Sequence, residues 1–210
     1  MILEYKEVTC CMRNLCYFFA FLSLTSFNFT NDTPIIHRLV VQPTSSVTIN
    51  GKTNVNSFQC AINKYSGTDT LVLRQEKPGV KPIFTQGAVS LAATTFDCGM
   101  NVMTKDFLKT INATKYPNII IEFVSFEKLP RYQPKEERFK TNMKISLASA
   151  SRNFEVACSI TKDEAGYVHL KGGKDFNFSD FGLKPPCRMA GMVKVKEKID
   201  VNFHLILLRN

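Results

Sequence analysis

Tryptophan is absent from this 210-residue chain, and histidine occurs only three times. His37, His169 and His204 do not form an H-E-x-x-H pattern, and there is no C-x-x-C pair, so a zinc site is not expected. The chain also lacks the G-x-S-x-G elbow, the P-loop and the dinucleotide-binding fingerprint. We therefore expect no enzyme, no catalytic residues, no metal and no cofactor. The alternative is chemistry assembled from residues that only the fold brings together.

A long apolar run is also missing. The most apolar stretch, Leu15–Leu24, is about half of the roughly 20 residues that cross a bilayer. It follows a short positive start at Met12 and precedes small and polar residues, which is the layout of a secretory signal. Residues 1–30 are thus predicted to be a signal region with translation beginning at Met12. Residues 31–210 are predicted to be one domain, exported to the periplasm or the cell exterior.

Four of the seven cysteines lie in the predicted secreted domain, where an oxidising compartment favours disulfides. Three connectivities are possible for Cys60, Cys98, Cys158 and Cys187. We favour Cys60 with Cys98 and Cys158 with Cys187. The alternative is that these residues are buried free thiols that act as small hydrophobes.

The formal charge of +9 favours acidic partners through long-range attraction. There is no dense Lys/Arg cluster interleaved with exposed aromatics, so we expect no nucleic-acid partner. Most of the charge is expected to be a solvated surface. A peripheral contact with an anionic membrane surface is the alternative.

Apolar and polar residues alternate along several segments, which predicts two-faced β-strands. The clearest are 193–208, 139–147 and 153–160, the last two joined by a short turn at Ser149–Ser151. Further candidates are 38–50 with a break at Pro43, 54–63, 70–76, 87–96, 118–127, 166–171 and 174–179. Only residues 103–113 have a helical period, with Phe107 and Ile111 on one side.

Many alternating strands and one helix predict an all-β fold, because long strands leave adhesive edges unless the sheet closes. We expect an eight-stranded antiparallel barrel, which is wide enough to hold one small ligand. An immunoglobulin-like sandwich is the rival, but the length of the last strand and the helix count against it.

Three local motifs resemble the YceI-like family of secreted lipid-binding barrels, in the same order and over residues 40–208. They are Ser45–Cys60, which is similar to an opening strand pair, Met103–Leu108 followed by Tyr116–Ile119, and Asp180–Leu183 followed by Pro185, Pro186 and Gly191. The chain lacks the Trp often found at the first strand of the family. It is therefore identified as a divergent, Bacteroidetes-type member.

The resemblance implies a lipocalin-like barrel with the helix packing at or in it, and a polyisoprenoid or similar long lipid in the interior. The inward faces supply the candidate lipid-binding residues, each with packed core as its alternative. These are Phe107, Ile111, Phe123, Met143, Ile145, Phe154, Phe176, Phe178, Phe203 and Leu205. The alternative function is a barrel filled by its own side chains that binds an envelope partner through its basic surface.

Overall fold

The computed structural model describes residues 33–62 and 64–210, and the predicted signal region lies outside the described residues. The alternating segments form β-strands. These are β1 (Ile35–Val41), β2 (Ser46–Lys52), β3 (Ser57–Ile62), β4 (Thr70–Gln75), β5 (Ile83–Gln86), β6 (Ala88–Ala92), β7 (Asn118–Phe126), β8 (Glu137–Leu147), β9 (Ala150–Lys162), β10 (Val168–Asn177), β11 (Cys187–Arg188), β12 (Val193–Lys194) and β13 (Lys198–Arg209).

Antiparallel pairing closes these strands into a barrel. The order is β1-β4-β5-β7-β8-β9-β10-β13, and β13 pairs with β1 to complete the circle. β2 continues β1 along β13, and β3, which pairs with β2, continues β4. β6 continues β5, and both pair with β7. Eight composite strands result, so the predicted eight-stranded antiparallel barrel is confirmed.

The β8–β9 hairpin shows how local sequence sets the register. Eleven residue pairs run from Glu137–Ile160 to Leu147–Ala150. The two residues between the strands are Ala148 and Ser149, and Ala148 has a positive φ of 52°. The turn therefore precedes the predicted position at Ser149–Ser151.

Several predicted strand bounds were wrong. Residues 193–208 are not one strand, because β12 ends at Lys194 and β13 begins at Lys198. The candidates 166–171 and 174–179 are a single strand, β10, across Gly172 and Gly173. The ring of Phe203 covers Gly172, and a Cβ there would lie 2.5 Å from it, so glycine lets the strand run through.

The helix α1 spans Asn101–Thr110, earlier than the predicted 103–113. It ends because Asn112 takes a left-handed φ of 54°, and the Ala113 amide then donates to the Leu108 carbonyl. This is a common helix C-terminus that Asn tolerates. α1 packs over one end of the barrel through Phe107, whose ring centroid lies 5.0 Å from that of Phe96.

Aromatic rings fill the other part of the barrel interior. Phe126 packs against Phe84 and Phe139, with ring centroids at 4.8 and 4.7 Å, and Phe123 lies 6.0 Å from Phe203. Phe123 and Phe126 are almost fully buried. The barrel is thus packed along part of its length, and this packing does not extend to the end that carries α1.

Candidate functional site

An apolar cavity of about 310 Å³ lies between α1 and the barrel. Its walls come from β2, β3, β7, β8 and β13, from α1, and from the loops between β2 and β3 and between β10 and β13. Cavities that hold small molecules typically measure about 300–1,000 Å³. The volume is therefore at the lower end of the range for a ligand site.

Because every second residue of a strand points inward, the side chains that line the cavity form layers. Ile49, Ile119, Leu147 and Ile199 supply the layer at the cavity, one residue from each strand. Two positions deeper on the same strands lie Val47, Ile121, Ile145 and Val201, around a second void of about 30 Å³. The branched side chains of the deeper layer therefore separate the cavity from this void.

Phe123 and Phe203 close the interior below this second layer. Both are buried, and their rings meet edge to face. Deepening the space further requires one of these rings to move or be removed, because close-packed interiors have few voids and low compressibility. These two rings therefore form the closed inner end of the space below α1, which we call the floor.

The two charged residues that line the cavity, Asp106 and Arg188, are paired with each other. The Arg188 guanidinium donates to both carboxylate oxygens of Asp106 on α1, with Nη2 at 2.7 Å from Oδ1. The same nitrogen lies 3.3 Å from the Val102 carbonyl oxygen. Because these two charges offset each other, the cavity lining itself favours an uncharged part of a ligand.

The Cys60–Cys98 disulfide holds α1 beside the cavity. Cys60 is on β3 and lines the cavity, and Cys98 comes three residues before α1. A short bridge reinforces the link, since the Ala61 and Asp97 amides each donate to the other's carbonyl at 2.8 and 3.0 Å. The sequence had favoured this pair.

The predicted Cys158–Cys187 disulfide was wrong. Cys158 is a buried free thiol on the inward face of β9, next to Gly172, whereas Cys187 is exposed on β11 beside the mouth. Burial also raises the pKa of the Cys158 thiol to about 12, so it stays protonated and unreactive.

The ten candidate lipid-binding residues fall into three groups. Phe107, Ile111 and Phe178 line the cavity. Met143, Ile145, Phe176 and Phe203 line the small deeper void. Phe123 and Leu205 are packed core, and Phe154 stacks with Phe176 and Phe181 where the β9–β10 ladder has ended.

Sequence reasoning missed most of the wall that α1 and the β10–β13 loop provide. Met100, Val102 and Leu183 line the cavity although they lie outside the predicted alternating strands. Val193 and Val195 also line it; they were predicted to lie on the apolar face of strand 193–208 but were not among the candidate lipid-binding residues. Phe178 was placed on a strand but lies in the 3-10 helix Phe178–Phe181. The signal that we missed was the recurrence of apolar residues at short intervals along a loop that is otherwise polar.

An open groove of about 850 Å³, lined by both polar and apolar groups, crosses the outside of the barrel. Arg138, Lys140 and Lys171 line it together with His204. The His204 Nε2 lies 2.9 Å from His169 Nδ1, and His169 Nε2 lies 3.0 Å from the Asp163 carboxylate. The described residues hold no group of three or more His, Cys, Asp or Glu side chains arranged for a metal ion.

Two histidines are expected to make stability depend on pH. Burial, then Lys171 and His169, lower the pKa of His204, and burial and Arg209 lower that of His37. Unfolded histidine has a pKa of about 6.5, so the unfolded chain binds more protons below that pH. The stability contributed by the neutral rings is present above about pH 6.5 and is lost as the pH falls through their folded pKa values.

We therefore expect the free energy of unfolding in urea to be lower at about pH 5.5 than at about pH 7.5. Carboxylates with a lowered pKa, such as Asp163, contribute nothing in this window because they are ionised in both states. The His37→Gln/His204→Gln variant is expected to show a smaller decrease. An equal decrease in the variant and the wild type would contradict the assignment.

The fold and cavity together define a small antiparallel barrel with an apolar cavity at one end. No protein-family model and no curated protein matches the sequence. Among the described residues, no helix has the length and apolar character needed to span a membrane.

Solved structures do share the fold. A polyisoprenoid binding domain from Saccharophagus degradans, implicated in plant cell wall breakdown, is 8% identical, with a TM-score of 0.59 over 84% of this chain and 100% of that one. BcnA from Burkholderia cenocepacia is 15% identical, with a TM-score of 0.57 over 77% of this chain and 95% of that one. The structural neighbours also include a YCEI protein from Campylobacter jejuni, at 14% identity and a TM-score of 0.45 over 62% of this chain and 72% of that one. The fold implied by the resemblance to the YceI-like family is confirmed.

Proposed function

We propose that this protein binds the apolar chain of a lipid in the cavity under α1, and acts as an exported carrier or sequestering protein without catalysis. The observation that carries the proposal is the apolar cavity, whose mouth charges Asp106 and Arg188 are already paired. The S. degradans domain of the same fold, which binds polyisoprenoids, supports it. Export is supported by the signal-like segment and by the Cys60–Cys98 disulfide.

The size of the cavity narrows the ligand class. The space of about 310 Å³ ends at a wall of branched side chains with a floor of Phe123 and Phe203 behind it. The cavity therefore takes a short isoprenoid or fatty chain, or one end of a longer one. The remainder of a long polyisoprenoid would then lie at the mouth.

Replacing Phe203 by leucine is expected to deepen the ligand space. Phe203 lines the small deeper void, so the shorter side chain enlarges that void. A bound chain reaches the enlarged void once the branched side chains that separate it from the cavity change rotamer. We expect the length of the best-bound prenol to increase. The loss of stability should stay below the roughly 3–5 kcal/mol of a buried Phe-to-Ala change. Competition among prenols of increasing length measures the effect, and an unchanged length optimum would contradict the role of Phe203 as a floor.

The test of the proposal is native mass spectrometry, with organic extraction, of the full chain purified from its own cell envelope. We expect one apolar lipid per protein. If the protein is empty and also takes up neither isoprenoid quinones nor polyprenols, the carrier function is wrong.

A second candidate function is that of an envelope interaction module. The aromatic packing around Phe126 and the outer groove with Arg138, Lys140 and Lys171 favour it. It predicts binding of an acidic partner that weakens as salt screens the charges, with no lipid in the barrel. Charge-reversal variants of the groove lysines would then abolish binding, and changes in the cavity would have no effect.

A further inference from the structure

The most exposed apolar side chains are gathered around the mouth of the cavity. In the described part of the chain, five large apolar side chains are more than half exposed, at 52–67%. These are Val55, Met100, Val102, Met189 and Met192. We call these five residues the apolar rim. Other exposed large apolar side chains, such as Val80 at 46%, stay below half.

Hydrogen bonds tie the segments of the rim together. The Asn54 side chain, next to Val55, donates to the Met192 carbonyl at 2.8 Å and accepts from the Lys194 amide at 2.9 Å. Arg188, next to Met189, donates to the Val102 carbonyl and to Asp106. The rim is therefore held around one opening by specific contacts. An apolar patch of this kind, with a polar surround, marks a protein or membrane interaction site.

Basic residues lie on the same segments of the chain as the apolar rim. The segment 184–198 carries five basic residues and one acidic residue, Glu197, whose carboxylate accepts the Ser179 amide at 2.7 Å. Arg188 pairs with Asp106, and Lys198 pairs with Asp175 at 2.6 Å, so the excess positive charge comes from Lys184, Lys194 and Lys196. Lys105 and Lys109 are exposed on α1, and Lys52 is exposed at the end of β2. Part of the charge of +9 is thus concentrated where the apolar side chains are most exposed.

We propose that the apolar rim docks on an anionic lipid bilayer and so opens the cavity toward the membrane. Val55, Met100, Val102, Met189 and Met192 insert at the boundary between headgroups and acyl chains, and the lysines contact anionic headgroups. An apolar ligand then passes between bilayer and cavity without crossing water. This role as a loading surface rests on the proposed function, but the docking itself does not require a filled cavity.

Charge and apolar exposure together favour a membrane over a protein partner or a second copy of the chain. A protein interface core is normally depleted of charged residues such as lysine, whereas membrane-surface elements combine Lys/Arg with apolar side chains. Lys194 and Lys196 lie on the segment that follows Met192, so the docking surface is expected to combine both kinds of side chain.

The test is co-sedimentation of the full chain with phosphatidylcholine vesicles and with vesicles that also contain phosphatidylglycerol. We expect stronger partitioning onto the anionic vesicles. The Met189→Ser/Met192→Ser variant should lose about tenfold or more of it, and Lys194→Glu/Lys196→Glu should lose the preference for anionic lipid. Val80→Ser, which removes an exposed apolar side chain away from the rim, is the matched control and should bind as the wild type does.

Unchanged partitioning of the Met189→Ser/Met192→Ser variant would overturn the docking proposal, as would a rim-dependent dimer in sedimentation without vesicle binding. An assay of lipid uptake from detergent distinguishes a failure of docking from a failure of the proposed carrier function. Rim variants are expected to take up lipid from detergent normally while failing on vesicles. If the wild type takes up no lipid from detergent, the carrier function is refuted. The vesicle experiment still tests docking by itself.

Discussion

Replacing Ile119 by tryptophan is expected to lower the affinity for an apolar chain about tenfold or more, which is about 1.4 kcal/mol. Ile119 points inward from β7 and lines the cavity next to α1. An indole there occupies space that the ligand needs. Because the chain has no other tryptophan, the same variant supplies a fluorescent probe, and its emission is expected to report an apolar surrounding.

The neighbouring residue provides a matched control. Ile120 is on the same strand but faces outward and is 39% exposed. Ile120→Trp therefore adds the same side chain without filling the cavity, and its lipid affinity should equal that of the wild type. Titration with a short prenol measures both variants. If Ile119→Trp binds as tightly as Ile120→Trp, the ligand is not in this cavity.

Removing the disulfide with Cys60→Ala/Cys98→Ala is expected to cost about 4 kcal/mol of stability. The bridge closes a loop with a sequence separation of 38 residues, and this value follows from the entropy that such a loop recovers in the unfolded chain. At about 2–4 °C per kcal/mol for a domain of this size, Tm should fall by roughly 8–16 °C. Lipid affinity should fall too, because the bridge fixes the segment that leads into α1.

The control for this pair is Cys187→Ala. Cys187 is an exposed free thiol, so the change should alter stability by no more than about 0.5 kcal/mol. Urea unfolding of the three proteins, with and without reductant, measures the difference. The account would be wrong if reductant left the wild type as stable as before.

Alternation along the strands carried most of the fold prediction. The inward residues of β8 and β13, such as Met143 and Leu205, are buried as the pattern indicated. Element ends were less well predicted because they depend on local backbone geometry. The helix stops at Asn112 through a left-handed residue, and the gap between Lys194 and Lys198 continues the alternating pattern without being part of a strand.

The ligand site was only partly predictable, for a physical reason. Inward-facing residues look alike in the sequence whether they pack against each other or line a cavity. Phe203 and Phe107 were both predicted to line the ligand cavity. In the structure, Phe203 packs against Phe123 across the barrel, whereas Phe107 lines the cavity under α1. That difference depends on which strands lie opposite, which one sequence does not state. The rim residue Met189 lies in a loop with no periodic signal.

The most direct test of a lipid held under α1 is photo-crosslinking with a diazirine-labelled prenol, followed by peptide mapping. The account predicts adducts on Phe107, Ile111 and the loop around Val193, all of which line the cavity. These adducts should be lost in Ile119→Trp and kept in Ile120→Trp. Adducts confined to the outer groove around Arg138 and Lys171 would contradict a cavity site and favour the surface-binding module.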